Sequence, residues 1–235
     1  MGFLHTTSEY VVDLVSLLFP NLCQSCEQPL AKGEDVICLM CQYELPETKF
    51  YLEKDNVIEK LFWGRVQIEH AASFYYFDSK TKIQHLLHQL KYHGKKEVAN
   101  KVGALFGTQL IKAKYFKGIN MIIPVPLHRR RMKERGYNQS DHFAEGLSES
   151  MNIPWSNKIL LRKQYTSTQT GKTRFERWNN VMSAFMVINK GLPNDSHVLL
   201  VDDVVTTGAT LEACAKTLLE IEGLKVSIAT IAVAH

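Results

Sequence analysis

The chain has 235 residues, 45% of them hydrophobic and 22% charged, with a formal net charge of +4. This is the composition of a soluble globular protein able to bury a substantial core, and so mild a positive charge does not by itself argue for nucleic acid. No apolar run reaches the roughly 18 residues of a membrane-spanning helix, and the amino terminus lacks the basic start and apolar core of a secretory signal, so a cytoplasmic location is expected.

Taken in order, Ser8 to Phe19 carries Val11, Val12, Leu14, Val15, Leu17 and Leu18. This predicts a short helix capped by Ser8 and stopped by Pro20, with an apolar face broad enough to need a partner. Next come Cys23-Gln-Ser-Cys26 and, after eleven residues that include Pro29 and Gly33, Cys38-Leu-Met-Cys41. Each Cys-x-x-Cys presents two thiolates from one tight turn, and two such turns complete the tetrahedral four-sulfur shell of a closed, structural Zn²⁺ site. Cys23, Cys26, Cys38 and Cys41 are therefore the expected zinc ligands, and folding of so small a segment should depend on the ion. A redox pair is the rival reading of one such motif, disfavoured because two occur in a turn-rich segment. A catalytic zinc is disfavoured further, since four thiolates leave no open position. The ribbon would serve as architecture, or dock a partner or nucleic acid.

Beyond the ribbon, Leu45-Pro46-Glu47 is the exit and Val57 to Trp63 a helical turn in a connector. Val66 to Phe77 fits one or two strands, with Phe74-Tyr75-Tyr76-Phe77 belonging to sheet and core rather than to a base-stacking platform. Ile83, Leu86, Leu87 and Leu90 mark a helix that ends near Lys91 to Gly94, with Gly94 as its C′ residue. Val98, Val102, Leu105, Phe106 and Leu110 mark a second from about Lys95 to Lys114.

Met121 to Pro126 predicts a buried strand ending in a Pro-x-Pro bend. The basic run Arg129 to Arg135 follows at once, then Gly136 to Ser140 and a helix through Phe143, Ala144 and Leu147. Strand ends are where an open α/β sheet binds ligands, so Arg129, Arg131 and Arg135 are candidate contacts to pyrophosphate or to DNA phosphates. A solvated basic surface is the plainer alternative. Leu160 to Arg177 is a polar stretch too long for a simple connector, and Lys163 and Lys172 would suit a mobile lid carrying cations onto pyrophosphate. Gly171-Lys-Thr173 is no Walker loop, because Thr166 stands where the first glycine is required. Val181 to Ile188 predicts another strand.

The stretch from Val198 to Thr210 organises the rest. Val198 to Val201 is too short for a helix and apolar enough for a strand buried on both faces, hence a central strand of a parallel sheet. Asp202 and Asp203 arrive at its carboxyl end, and after Val204 and Val205 come Thr206, Thr207, Gly208, Ala209 and Thr210. A helix with Leu211, Cys214, Leu218 and Ile221 on one face follows, where Cys214 reads as core. Such a loop offers unpaired N–H groups, the positive end of a helix dipole and hydroxyl donors to a phosphomonoester. The two carboxylates would accept from vicinal hydroxyls or face Mg²⁺. Phosphate at one end and diol at the other describes a ribose 5-phosphate. Val226 to Val233 predicts a last strand.

This segment resembles the phosphoribosyl pyrophosphate (PRPP) motif of type I phosphoribosyltransferases. Beyond it, the four-cysteine ribbon, Pro124-Val-Pro-Leu127 with Arg131, Arg135-Gly-Tyr-Asn-Gln139, Thr168-Gln169, Arg177-Trp-Asn179 and Val201 to Thr210 together resemble the ComF family. The resemblance implies an α/β fold of type I phosphoribosyltransferase kind, a parallel sheet flanked by helices, carrying an N-terminal zinc ribbon. The expected division is residues 1–50 for helix and ribbon and 51–235 for the sheet domain. It also implies an association with natural competence, incoming single-stranded DNA and a competence helicase. Two functions remain open: an enzyme that displaces pyrophosphate from PRPP, with Asp202 and Asp203 at its centre and an unspecified acceptor, or a non-catalytic single-stranded DNA-binding factor whose PRPP site is a sensor or remnant.

Overall fold

The sheet that carries the site is built from the chain's most apolar runs, and the computed structural model describes residues 19–78, 81–163, 184–188, 192–193 and 195–234. The strands are β1 (Ala71–Phe77), β2 (Met121–Pro124), β3 (Leu160–Arg162), β4 (Phe185–Val187), β5 (His197–Val205) and β6 (Lys225–Ala234). Four of them form a wholly parallel sheet in the order β1-β6-β5-β2, while β3 and β4 make a separate antiparallel pair. Val198 to Val201 are completely buried, which is the physical reason for an uninterrupted apolar run in a parallel sheet covered on both faces.

β5 is longer than its apolar run predicts. Ladder pairing with β6 continues through Asp202↔Thr230 to Val205↔Val233, so the two acids lie within the strand rather than just beyond it. Only one strand forms in Val66 to Phe77, and its Phe74 and Tyr75 are core residues. The expected strand from Val181 is seen only as β4, its first residues lying outside the described ones.

The helices are α1 (Leu39–Glu44), α2 (Val57–Lys60), α3 (Lys82–Tyr92), α4 (Lys96–Lys112), α5 (Arg129–Arg135), α6 (Gln139–Met151) and α7 (Ala209–Leu218). α3 and α4 run close to their predicted bounds, and Gly94, at φ +70°, follows the C-cap His93 as a left-handed C′ residue. The basic run departs from expectation by folding as α5. His128 caps it by accepting the Arg130 N–H, Arg130 pairs with Glu134 one turn on, and Gly136 ends it at φ +76°. α7 ends at Leu218, so Leu211, Cys214 and Leu218 share its buried face while Ile221 packs from the following turn.

α4 and α6 cross at very close range. A Cβ on Gly103 would stand 2.5 Å from the Phe143 carbonyl oxygen, and one on Gly146 would collide with the Asn100 backbone. The ribbon lies against α3 and α4 through Lys82–Glu44, Lys101–Asp35 and His85–Glu27, the last at 3.4 Å. Among the described residues no helix is long and apolar enough to cross a membrane. The predicted helix from Ser8 lies outside the described residues.

Candidate functional site

Three chain segments meet at the carboxyl end of β5. Register between β2 and β5 pairs Pro124 with Val201, and the Val125 N–H donates to the Val201 carbonyl at 2.8 Å. α6 begins beside them because Asn138 bonds both ways: its Nδ2 donates to the Val125 carbonyl at 3.1 Å and to Asp141 Oδ1 at 2.6 Å. Its Oδ1 accepts the Ser140 N–H as the helix cap. Ser140 Oγ then donates to Asp202 Oδ1 at 2.9 Å.

These segments enclose a pocket of about 370 Å³, whose lining includes His128, Arg131, Arg135, Ser140, Arg162, Asp202, Asp203 and Thr210. Burial, and then the neighbouring Asp203 charge, push Asp202 up to about 7, while the Asp203 N–H, the Ser140 hydroxyl and Lys91 pull the other way. His128 is held below its ordinary value by burial and then by Arg162, Arg131 and Arg130. The site therefore opposes two carboxylates to several cations, the charge pattern that suits a ligand with a diol at one end and a polyanion at the other.

A small hollow adjoins the pocket, lined by Asp202 and by Val204, Val205, Thr206, Thr207, Gly208, Ala209, Thr210 and Leu211. Gly208, at φ +73°, precedes α7 with no side chain capping that helix, so its first N–H groups remain available to an anion. The glycine is also required from behind, since a Cβ there would come 3.1 Å from the Phe62 ring. From the same side Arg65 Nη1 donates to the Thr207 carbonyl at 2.9 Å while its Nε donates to Glu212 Oε2 at 2.9 Å. Val205 is buried, and Thr206 and Thr207 are exposed.

The predicted cations separate. Arg131 and Arg135 face the pocket with the acids, whereas Arg129 and Lys163 line an adjoining groove of about 900 Å³ with Leu127, Met132, Leu161, Arg130, Lys133 and Arg162. Lys172, Thr168, Gln169, Arg177 and Asn179 lie outside the described residues. Arg162, Ser140 and His128 were not expected at the site. Arg162 ends β3 inside the stretch read as a lid, and it lines both the pocket and the groove, whereas Lys163 just beyond the strand lines the groove.

In the ribbon the Sγ atoms of Cys23, Cys26, Cys38 and Cys41 all lie within 4.8 Å of one another, a set positioned to bind a metal. Cys26 and Cys38 Sγ are 3.8 Å apart, about the edge of a tetrahedron with metal–sulfur bonds of ~2.3 Å. Burial raises the Cys23 thiol, but the N–H groups of Cys38, Cys26 and Ser25 outweigh it and bring it down to about 7. Burial pushes Cys41 up to about 12, the state of a thiol whose deprotonation awaits a cation.

Parallel strands under helices, with a ligand loop at the end of the central strand, define a type I phosphoribosyltransferase fold, and residues 142–235 match the Phosphoribosyl transferase domain. The chain is 32% identical over 220 residues to the DNA utilization protein YhgH of Shigella flexneri, covering 86% of this chain and 92% of that protein. It is 27% identical to the Competence protein ComFC of Bacillus subtilis, covering 87% and 81%, respectively. Over 98 residues it is 43% identical to the Competence protein F of Haemophilus influenzae, covering 41% of this chain and 43% of that one. The chain belongs to the ComF family.

Proposed function

We propose that this protein binds PRPP together with Mg²⁺. The observation that carries the reading is the placement of Asp202 and Asp203 on β5 between a helix-start anion hollow and a pocket walled by Arg131 and Arg135. Asp202 and Asp203 accept from the ribose hydroxyls, the segment from Val204 to Thr210 receives the 5-phosphate, and Arg131, Arg135 and Arg162 take the pyrophosphate. Mg²⁺ at the acid pair would neutralise charge on the diphosphate as it leaves. The reaction that these groups favour is displacement at C1. The bond to the diphosphate oxygen breaks with its electron pair, a bond to the acceptor forms, and fixed cations stabilise the separating charge without a protein nucleophile.

The groove beside the pocket favours a second reading. Arg129, Arg130, Lys133, Arg162 and Lys163 line a groove with Leu127, Met132, Leu161 and Glu134, the last paired with Arg130, and this excess of cations suits a single DNA strand held mainly through its phosphates. The relatives' names, DNA utilization protein and competence protein, agree with that partner. In this reading the protein works in the cytoplasm beside a competence helicase, its ribbon holding Zn²⁺, and PRPP is sensed rather than consumed.

Calorimetry with PRPP and Mg²⁺, followed by pyrophosphate release against free bases and single-stranded DNA, separates the two. Release that requires one acceptor and both aspartates makes the protein an enzyme; tight binding without release under every acceptor favours the DNA-binding factor. The Asp202→Asn, Asp203→Asn double variant is expected to lose PRPP binding and keep DNA binding. Loss of both would refute separate sites.

A further inference from the structure

Lys91 reaches the acid pair from α3, which supplies none of the motif residues. Its Nζ lies 3.1 Å from Asp203 Oδ2, and the two side chains are only 25% and 18% exposed. The last turn of α3 is fixed by the segment that walls the pocket. Tyr137 Oη donates to the Leu90 carbonyl, and the Arg135 guanidinium stands 5.9 Å from the centre of the Tyr92 ring. Lys96 in turn lies 5.2 Å over the ring of Tyr137. The ammonium is therefore held at the carboxylate from a braced backbone rather than swept past it by a free surface helix.

The oxygens of the pair are occupied unequally. Asp202 Oδ1 accepts from Ser140 Oγ and from the Asp203 N–H, each at 2.9 Å. Asp203 Oδ1 accepts the Val204 N–H at 2.7 Å, which leaves Oδ2 as its outward oxygen, and that is the one Lys91 takes. A divalent cation that ligates Asp203 through its outward oxygen takes the same atom. Two cations cannot share it closely, because their repulsion in a half-buried site is screened far less than in water.

We propose that Lys91 is a resident counter-ion of the acid pair, and that a divalent cation must displace it from Asp203 in order to bind. The proposal rests on the reading of Asp202 and Asp203 as the diol and Mg²⁺ end of the site. It makes Lys91 a positioning residue, which occupies Asp203 Oδ2 in the free protein and sets a threshold for metal entry. An anionic ligand that takes up the displaced ammonium lowers that threshold, so cation and anion bind better together than apart.

The test uses Mn²⁺ as the probe, with zinc-loaded full-length protein and no nucleotide. Free Mn²⁺ is counted by electron paramagnetic resonance, and thermal melts check that each variant is folded. Lys91→Met is expected to bind Mn²⁺ about tenfold more tightly than the parent, Lys91→Arg to match the parent, and the added change Asp203→Asn to abolish the gain. Unchanged or weaker Mn²⁺ binding by folded Lys91→Met overturns the proposal. Inorganic diphosphate should tighten Mn²⁺ binding in the parent more than in Lys91→Met; equal tightening in both also overturns it. Failure of the parent to bind PRPP by calorimetry would instead overturn the PRPP reading, and the two failures are read from different titrations.

Discussion

Arg65 and Glu212, 147 residues apart in the chain, meet through hydrogen bonds of 2.9 Å from Nε and 2.5 Å from Nη2 to one carboxylate oxygen beside the loop that leads into α7. Glu212 sits in the first turn of α7 and is almost wholly buried, and Arg65 Nη1 also donates to the carbonyls of Leu61 and Thr207. One guanidinium thus joins the connector after the ribbon to the loop and to its helix.

Replacing Arg65 by Met should loosen that loop. Burial raises Glu212, but hydrogen bonds from Lys216 and Arg65 outweigh it and hold the carboxyl below its ordinary value. A carboxylate lowered on folding contributes stability that is present above its unfolded pKa and is lost as pH falls through the folded one. The Arg65→Met variant should be less stable by roughly 1–3 kcal/mol at pH 7, with the gap narrowing below about pH 4. Urea unfolding at both pH values checks this, and a gap of the same size at low pH would count against the ion pair as its source.

Asp202 should behave in the opposite sense. Its carboxyl is pushed up to about 7, so its ionisation opposes folding. The favourable contribution of the protonated group is complete below the unfolded pKa, near 3.9, and is lost as pH rises through the folded one. Asp202→Asn, which can still accept from Ser140, should raise the ligand-free melting temperature at pH 8 and change it little at pH 4. Melts that coincide at pH 8 would show that Asp202 ionises without cost.

The α4–α6 contact predicts intolerance of a single methyl group. Gly103→Ala and Gly146→Ala should each destabilise by about 1–3 kcal/mol, because the added carbon meets backbone atoms that cannot turn aside. Chemical denaturation measures the effect. Full stability in both would mean that the helices separate without penalty.

Removing the metal should affect the ribbon first. The segment from Leu22 to Leu45 is short, and its two Cys-x-x-Cys turns converge on one point, so chelation should open it to proteolysis. Cys41→Ser should behave like the chelated protein and retain substoichiometric metal by elemental analysis. Identical digestion with and without chelator would mean that the segment holds its shape unaided.

Much of the fold could be read from local patterns. The helical spacing of Ile83, Leu86, Leu87 and Leu90 and the glycine two residues past the helix end gave α3 with its stop, and the apolar run Val198 to Val201 gave the central strand. Where the reading missed, long-range or competing local bonds decided. β5 lengthened because β6 continued its ladder past the acids. The basic run became α5 because His128 and Gly136 cap it at both ends, although its charge alone reads as an open surface.

The sequence by itself determined which donor groups stand together in the proposed ligand loop and in the cysteine cluster, because Asp202 to Thr210 and the four cysteines are contiguous or paired within a few turns and carry their donors wherever they fold. Only the tertiary structure decided which distant groups complete the site. Ser140 reaches Asp202 because α6 starts at the end of β2, Lys91 reaches Asp203 because Tyr137 holds the last turn of α3, and Arg65 reaches Thr207 from under the loop. Periodicity records which face of an element is buried, whereas the choice of partner comes from strand order and helix docking, which depend on the packing of the whole core.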